Sequence, residues 1–382
     1  MATTSRHSPC RLWVASLTLR TSSIATIEIG KGSRDRAEAS VNGNVASAQS
    51  PPSRASAQSH PFASLSPDLV LSAVESLGYA ADARVFALNS YENRVYQVGL
   101  EDGSSLIVKF YRPRRWSDAQ IREEHGFIAE LNSLEIPVAA PIILDEETIF
   151  VFEGFRFSLF ERLAGRAVNL ENPDDLVSMG RFVARIHAVG ARVGFAHRGE
   201  LSIERLGNES REFLLQSGFL EGDLQRAYET LSADLLTEVA ARFDAHGPLR
   251  MLRLHGDCHM GNVLWRDDTP HFVDFDDTMM GPAMQDLWMM LSGDRDQQQM
   301  QLIELVEGYN EFFDFVPSEL SLIESLRALR LMHYSAWLGR RWSDPAFPLS
   351  FPWFNTQRYW AEHILELREQ LALLDEAPLR LI

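Results

Sequence analysis

The stretch from Leu254 to Asp286 constrains this chain more than any other. It opens Leu254-His255-Gly256-Asp257-Cys258-His259-Met260-Gly261-Asn262 and runs into the apolar Val263-Leu264-Trp265. A polar turn follows, then His271-Phe272-Val273-Asp274-Phe275-Asp276-Asp277. Apolar runs on either side of a polar turn predict two short paired strands. Side-chain oxygens flank them: Asp257 and Asn262 before the first strand, Asp274 after the second. Such hard oxygen donors on short rigid elements suit Mg2+, which prefers oxygen ligands and keeps several of its waters.

Asp257 and Asn262 stand five residues apart in the pattern H-x-D-x-x-x-x-N. That is the spacing of a kinase catalytic loop, in which the Asp receives the acceptor hydroxyl proton and the Asn holds a magnesium ion. Asp274-Phe275-Asp276 then occupies the place of the D-F-G triplet. The competing reading is a carboxylate-rich turn between strands. Spacing, residue types and strand context agree with one another, which is what a motif claim requires.

A chain of 382 residues exceeds one ordinary core and accommodates two domains. Its net charge of −17 argues against nucleic acid as the main partner. An acidic body must also supply local cations if it is to hold a triphosphate. No apolar run approaches the ~18 residues of a membrane helix, so no membrane partner is expected. Cysteine occurs only as Cys10 and Cys258, which excludes a disulfide framework and fits a reducing compartment. No zinc-type spacing is present. Cys258 reads as a small packed residue rather than a redox switch.

Residues 1–60 hold twelve serines and show no sustained period, and they read as a disordered extension. The first 27 residues carry arginines and no acid, a weak likeness to an organelle transit peptide. A start assigned too far upstream is the alternative. Order is expected from Ser66-Pro67, a helix cap with proline at the first helical position.

Residues 84–111 read as three strands: Arg84 to Leu88, Arg94 to Leu100 and Leu106 to Tyr111, with Asp102-Gly103 as a hairpin turn. The first turn, Asn89-Ser90-Tyr91-Glu92-Asn93, takes the place of a phosphate-covering loop although it has no glycine. Its amides and the Ser90 hydroxyl are candidate phosphate donors; a plain polar hairpin is the bland reading. Lys109, inside Ile107-Val108-Lys109-Phe110-Tyr111, is either an edge charge or the strand lysine that meets phosphates. Ser117-Asp118 caps a helix that carries Glu123 and Glu124, either of which can pair with Lys109. Strands are expected near Ile142 to Leu144 and Thr148 to Phe152, with Phe155 to Leu163 as the hinge whose backbone meets adenine. Beyond Asn172 the pattern is mainly helical. His187 lies near a helix C-terminus, where a cation is favoured. Trp342 to Trp353 reads as a packed surface loop of the second domain.

On these residues the chain resembles the aminoglycoside phosphotransferase and choline kinase superfamily, through Leu254-His255-Gly256-Asp257 to Asn262, Phe272-Val273-Asp274 and Asp286-Leu287-Trp288. It is more similar still to the bacterial stress response kinase A family, through Leu88 to Gln97, Val108 to Pro113, Pro137 to Pro141, Leu254 to His259 and Arg341 to Pro348. The resemblance spans about residues 64 to 380. It implies an α+β, two-lobed, protein-kinase-like fold, with a β-rich N-lobe over 64–158 and a helical C-lobe over 159–380. It implies a cytoplasmic serine/threonine protein kinase, taken as a monomer, that uses ATP and Mg2+ on protein acceptors. Asp257 would be the catalytic base. Asn262 and Asp274 would bind Mg2+. Ser90 would lie at the ATP phosphates, and Lys109, paired with Glu124, would bind them. A small-molecule kinase with a cationic acceptor is the alternative, and a pseudokinase acting by binding is a third reading. No Ala-Pro-Glu follows Asp274, and the next helix begins too soon for a long activation loop.

Overall fold

The computed structural model describes residues 60–381, so the readings of the N-terminal extension, Cys10 included, fall outside the described residues. Helix α1, Pro67–Glu75, starts where the Ser66 hydroxyl accepts the Leu69 N–H at 3.2 Å. Strands β1 (Ala81–Ala87), β2 (Arg94–Leu100) and β3 (Ser105–Phe110) form an antiparallel meander. The β2–β3 turn closes on Gly103 at φ +86°, a left-handed backbone that glycine adopts freely. Helix α2, Asp118–Ser133, opens with a capping box between Ser117 and Gln120. Strands β4 (Phe150–Phe152) and β5 (Phe155–Glu161) complete a five-stranded sheet in the order β1-β2-β3-β5-β4.

That order puts β3 in the sheet interior, Lys109 pairing with Val95 on one side and Ser158 on the other. The edge-charge reading of Lys109 is thereby excluded. Two other expectations are corrected. Ile142 to Leu144 is no strand; only isolated bridges, Pro141 to Phe160 and Leu144 to Glu147, mark that stretch. Phe155 to Leu163 is not a free hinge either. Its residues through Glu161 are β5, paired with β4 over Phe155–Phe157 and with β3 over Phe157–Glu161, so the backbone groups on those sides are committed to the sheet. The crossing to the helical half begins beyond Glu161.

The helical half contains α3 (Pro173–Gly190), α4 (Glu209–Gln216), α5 (Gly222–His246), the strand β6 (Leu252–Leu254), the hairpin β7 (Val263–Arg266) and β8 (Thr269–Phe272), β9 (Met279–Gly281), α6 (Met284–Trp288), α7 (Arg295–Tyr309), α8 (Ile323–Arg341), α9 (Ala346–Ser350) and α10 (Gln357–Leu373). Helices α3 and α7 touch backbone to backbone. A methyl on Gly180 or on Gly308 would stand 1.9 Å from a carbonyl of the facing helix.

Two apolar clusters organise the molecule. The sheet packs Val98, Val108, Phe110, Phe157 and Leu159 against Val70, Ala73 and Val74 of α1. The larger cluster gathers the helical half and also takes Phe127, Ile128 and Leu131 of α2. Helix α2 thus follows the sheet in sequence but buries its apolar face in the helical core, which holds Glu124 at the seam. The Trp342 to Trp353 stretch also differs from a surface loop. It contains α9 with Phe347 fully buried, and Asp344 reaches β2 and its neighbourhood, 3.2 Å from Arg94 and 2.6 Å from Arg112. Among the described residues no helix is long and apolar enough to cross a membrane.

Candidate active site

The loop after β6 is held from beneath by one carboxylate. Asp286 accepts the amides of His255 at 2.8 Å and Gly256 at 2.9 Å, and lies 3.1 Å from His187 Nε2. His187 also meets Tyr309 Oη at 2.8 Å, so this buried ring belongs to the loop's support and not to a solvent-side helix terminus. Asp286 lies in the first turn of α6, and its side chain leaves its own helix to hold the loop. Gly256 sits at φ +85°, and a methyl there would stand 2.1 Å from the Asp277 carbonyl, so this turn requires glycine. The His255 ring donates from Nε2 to the Val273 carbonyl at 2.9 Å and accepts the Asp257 N–H on Nδ1 at 3.3 Å. One imidazole therefore ties Asp257 to the strand end that carries Asp274.

Asn262 lies in the same weave. Its Nδ2 donates to the Asp257 carbonyl at 2.9 Å, and its own carbonyl accepts the Val273 N–H at 3.0 Å. This sets Asn262 beside the strand end that carries Asp274. Asp274 adopts a left-handed backbone at φ +61°, which aims a side chain that is 59% exposed out of the hairpin. An amide oxygen and an open carboxylate are hard donors, and Mg2+ at a triphosphate needs few protein ligands, so the pair fits that ion.

Lys109 is buried, and three carboxylates surround its ammonium: Asp276 at 3.0 Å, Asp274 at 3.2 Å and Glu124 at 3.7 Å. Burial alone would lower its pKa, but Asp276, Glu124 and Asp274 together hold it well above the ordinary lysine value. Lys109 and Glu124 thus come together as the sequence indicated, although Glu124 is not the nearest partner. Glu124 also binds the fully buried Arg198 at 2.5 Å. Glu123, its neighbour, turns away and accepts the amides of Ala196, His197 and Arg198. Arg115 completes the group, bonded to Asp276 and, at 2.6 Å, to Asp277.

Asp257 faces a different neighbour. Arg330 of α8 approaches its Oδ1 to 2.6 Å, and His259 Nε2 lies 3.5 Å from Oδ2. Burial would raise this carboxyl; Arg330 and then His259 hold it well below the usual carboxylate range. Ser90 is not drawn into the group. Its hydroxyl donates to the Asn93 carbonyl at 2.8 Å and braces its own turn. The turn is anchored by Glu92, which meets Arg341 at 2.8 Å, Trp337 Nε1 at 2.7 Å and Arg112 at 3.2 Å.

Sequence reasoning missed Asp276, Arg115, Arg198 and Arg330. For Asp276 a signal was present: a second acid where the triplet has glycine. For the three arginines no local pattern exists, because each reaches its partner from a remote element.

A family model described as "Phosphotransferase enzyme family" matches residues 84–323. The chain is 43% identical over 320 residues to "Stress response kinase A" of Escherichia coli (strain K12), which spans 84% of this chain and 97% of that one. It is 42% identical over 320 residues to "Serine/threonine protein kinase RdoA" of Salmonella typhimurium (strain LT2), with the same coverage. Among solved structures it resembles amicoumacin kinase hAmiN in complex with AMP-PNP, Ca2+ and Ami, at TM-score 0.63 and 19% identity, over 82% of this chain and 94% of that one. It also resembles a microcompartment-associated aminopropanol kinase, at TM-score 0.62 and 18% identity, over 82% of this chain and 100% of that one. At such identities the likeness is one of fold: two lobes, α+β, kinase-like.

Proposed function

This chain belongs to the phosphotransferase enzyme family, and from that premise we propose that it is an ATP- and Mg2+-dependent serine/threonine protein kinase of the stress-response type. The observation that carries the reading is the convergence of Lys109 with Asp274 and Asp276, more than 160 residues away in sequence, beside the loop of Asp257 and Asn262. Lys109 holds and orients the ATP phosphates. Asn262 and Asp274 hold Mg2+, which supplies charge neutralisation at those phosphates. Ser90 and its turn cover the phosphates from above. Glu124, with Asp276, keeps the Lys109 ammonium in place. Asp257 orients the acceptor hydroxyl and takes its proton. A carboxylate held this far below its usual range is a weak proton sink, so its main contribution is orientation, with the proton arriving late in a loose transition state. Positioning and fixed charge supply the catalysis. Action in the cytoplasm, as a monomer on protein acceptors, is part of the same reading.

The test is transfer from γ-labelled ATP with Mg2+ to a panel of proteins, alongside small alcohols. Asp257→Asn should lower turnover by about 10²–10⁴-fold while nucleotide affinity is retained. Near-normal turnover in that variant would remove the role of Asp257. Absence of any Mg2+-dependent ATP consumption by the wild type would leave a binding protein in place of an enzyme.

A further inference from the structure

Helix α8 turns one face to the site. Arg330, Tyr334, Trp337 and Arg341 recur at the spacing of a single helical stripe and are part-buried. Ala328, Leu329, Met332 and Ala336 lie on the other faces and are fully buried, so the stripe stands on a fixed support. At its C-terminal end Trp337 and Arg341 hold Glu92 of the Ser90 turn, at 2.7 Å and 2.8 Å. At its N-terminal end Arg330 Nη2 meets Asp257 Oδ1 at 2.6 Å. One helix thus sets both the turn and the aspartate.

The contact is selective. Among the described residues Arg330 makes no other hydrogen bond or ion pair. Its side chain is 34% exposed and that of Asp257 23%, and an ion pair so open to water adds little to folding stability. Its effect falls on the geometry of the carboxylate. The main chain of Asp257 is already fixed, its N–H by His255 Nδ1 and its carbonyl by Asn262 Nδ2. The freedom that remains is rotation of the side chain, and Arg330 removes it by occupying Oδ1. The other oxygen, Oδ2, faces only a long contact, His259 Nε2 at 3.5 Å. His259 Nδ1 accepts the Gly261 N–H at 2.9 Å, so the neutral ring carries its proton on Nε2 and takes none from the carboxylate.

We infer that Arg330 is a positioning residue: it pins Asp257 through Oδ1 and leaves Oδ2 as the oxygen that meets the acceptor hydroxyl. The inference rests on the reading of Asp257 as the group that orients that hydroxyl, and it holds for a peptide or a small alcohol alike. Arg330 stands 73 positions beyond Asp257 on a separate helix, so no motif of the loop announces it. The guanidinium fork fixes a carboxylate in direction as well as in charge.

The experiment follows ADP release from Mg-ATP with dephosphorylated casein as the Ser/Thr acceptor, a readout that registers transfer to a protein hydroxyl or to water. Arg330→Ala suits the helix, alanine being the best helix former. It should lower kcat by about 10²-fold, the cost of a misplaced catalytic group, with KM for Mg-ATP and the thermal midpoint near wild type. Millimolar guanidinium should restore part of that kcat, and equal sodium chloride should not. Arg330→Lys, a point charge without the fork, should keep more turnover than the alanine variant. In an Asp257→Asn background Arg330→Ala should bring no further loss, because the two side chains act as a unit. A kcat near wild type in Arg330→Ala overturns the inference and leaves the kinase reading standing. A kcat above wild type also overturns it, and makes Arg330 an obstruction to the acceptor. A loss that guanidinium does not restore, and that adds in full to that of Asp257→Asn, reduces Arg330 to a structural role. A wild type that releases no ADP overturns both the inference and the kinase reading.

Discussion

Lys109 Nζ lies 3.0 Å from Asp276 Oδ1, nearer than to the carboxylate of Glu124 at 3.7 Å. Asp276 also binds Arg115, and its carbonyl accepts from Arg198 at 2.6 Å. One buried residue thus joins the strand lysine to Arg115 through its carboxylate and to Arg198 through its backbone carbonyl. Asp276→Asn leaves Lys109 and Arg115 short of charge where water cannot reach them, and should cost about 3–5 kcal/mol in urea unfolding. A double-mutant cycle with Lys109→Met should return a larger coupling for Asp276 than for Glu124. The reverse order would show that Glu124 is the true anchor, with Asp276 serving Arg115 alone.

Asp274 offers a cleaner separation of function from stability. Its backbone is left-handed, a conformation that asparagine tolerates, and its side chain is 59% exposed. Asp274→Asn should therefore change the unfolding midpoint little while abolishing Mg2+-dependent nucleotide binding in calorimetry. Wild-type Mg-ATP affinity in this variant would remove Asp274 from the metal site. Asp274→Val, a β-branched residue on a left-handed backbone, should lose stability as well.

The Ser90 turn has no glycine, and the molecule restrains it from the other lobe. Glu92 receives Arg341 and Trp337 from α8, and Tyr91 packs on Phe351 with ring centroids 4.7 Å apart. Glu92→Gln leaves Arg341 and Arg112 without this partner. Hydrogen exchange should rise at residues 89–93, and nucleotide affinity should fall with it. Unchanged exchange there would mean that the turn is rigid on its own account.

His125 makes acid lability predictable. Tyr111 Oη lies 2.8 Å from its Nε2 and Thr148 Oγ1 2.7 Å from its Nδ1. Burial, reinforced by Lys109 and Arg198, depresses its pKa to about 3. The unfolded chain protonates this ring near pH 6.5 while the folded chain does not. Stability should therefore decline as pH falls from about 6.5 toward 3, by up to about 1.4 kcal/mol per pH unit, with no contribution above that window. His333, also held near 3, adds in the same direction. His125→Gln should flatten the slope in urea unfolding between pH 7 and pH 5; equal slopes in variant and wild type would contradict the buried neutral ring.

Much of the site was legible because its parts are local. Leu254 to Asp277 holds the loop, the hairpin and the triplet within one stretch, and its strands formed where the apolar runs stood. Helix caps at Ser66 and Ser117 were legible for the same reason. The misjudged places were those where a segment's role depends on what lies beside it. Phe155 to Glu161 read as a hinge because nothing in its own residues shows that β3 and β4 flank it. Trp342 to Trp353 read as a surface loop because Asp344 finds its arginines some 230 to 250 positions away.

What the sequence determined by itself is the kind of chemistry: short-range spacing places an aspartate, an amide and a second aspartate on adjoining turns, and backbone geometry alone does that. What only the tertiary structure decided is which charge answers which. Glu123 and Glu124, or Asp274, Asp276 and Asp277, are chemically alike and sit within a few positions of one another. The packing of α2 into the helical core turns Glu124 toward Lys109 and Glu123 away, and α8, packed in the same core, brings Arg330 onto Asp257. Direction in space, set by long-range burial, separates residues that composition cannot.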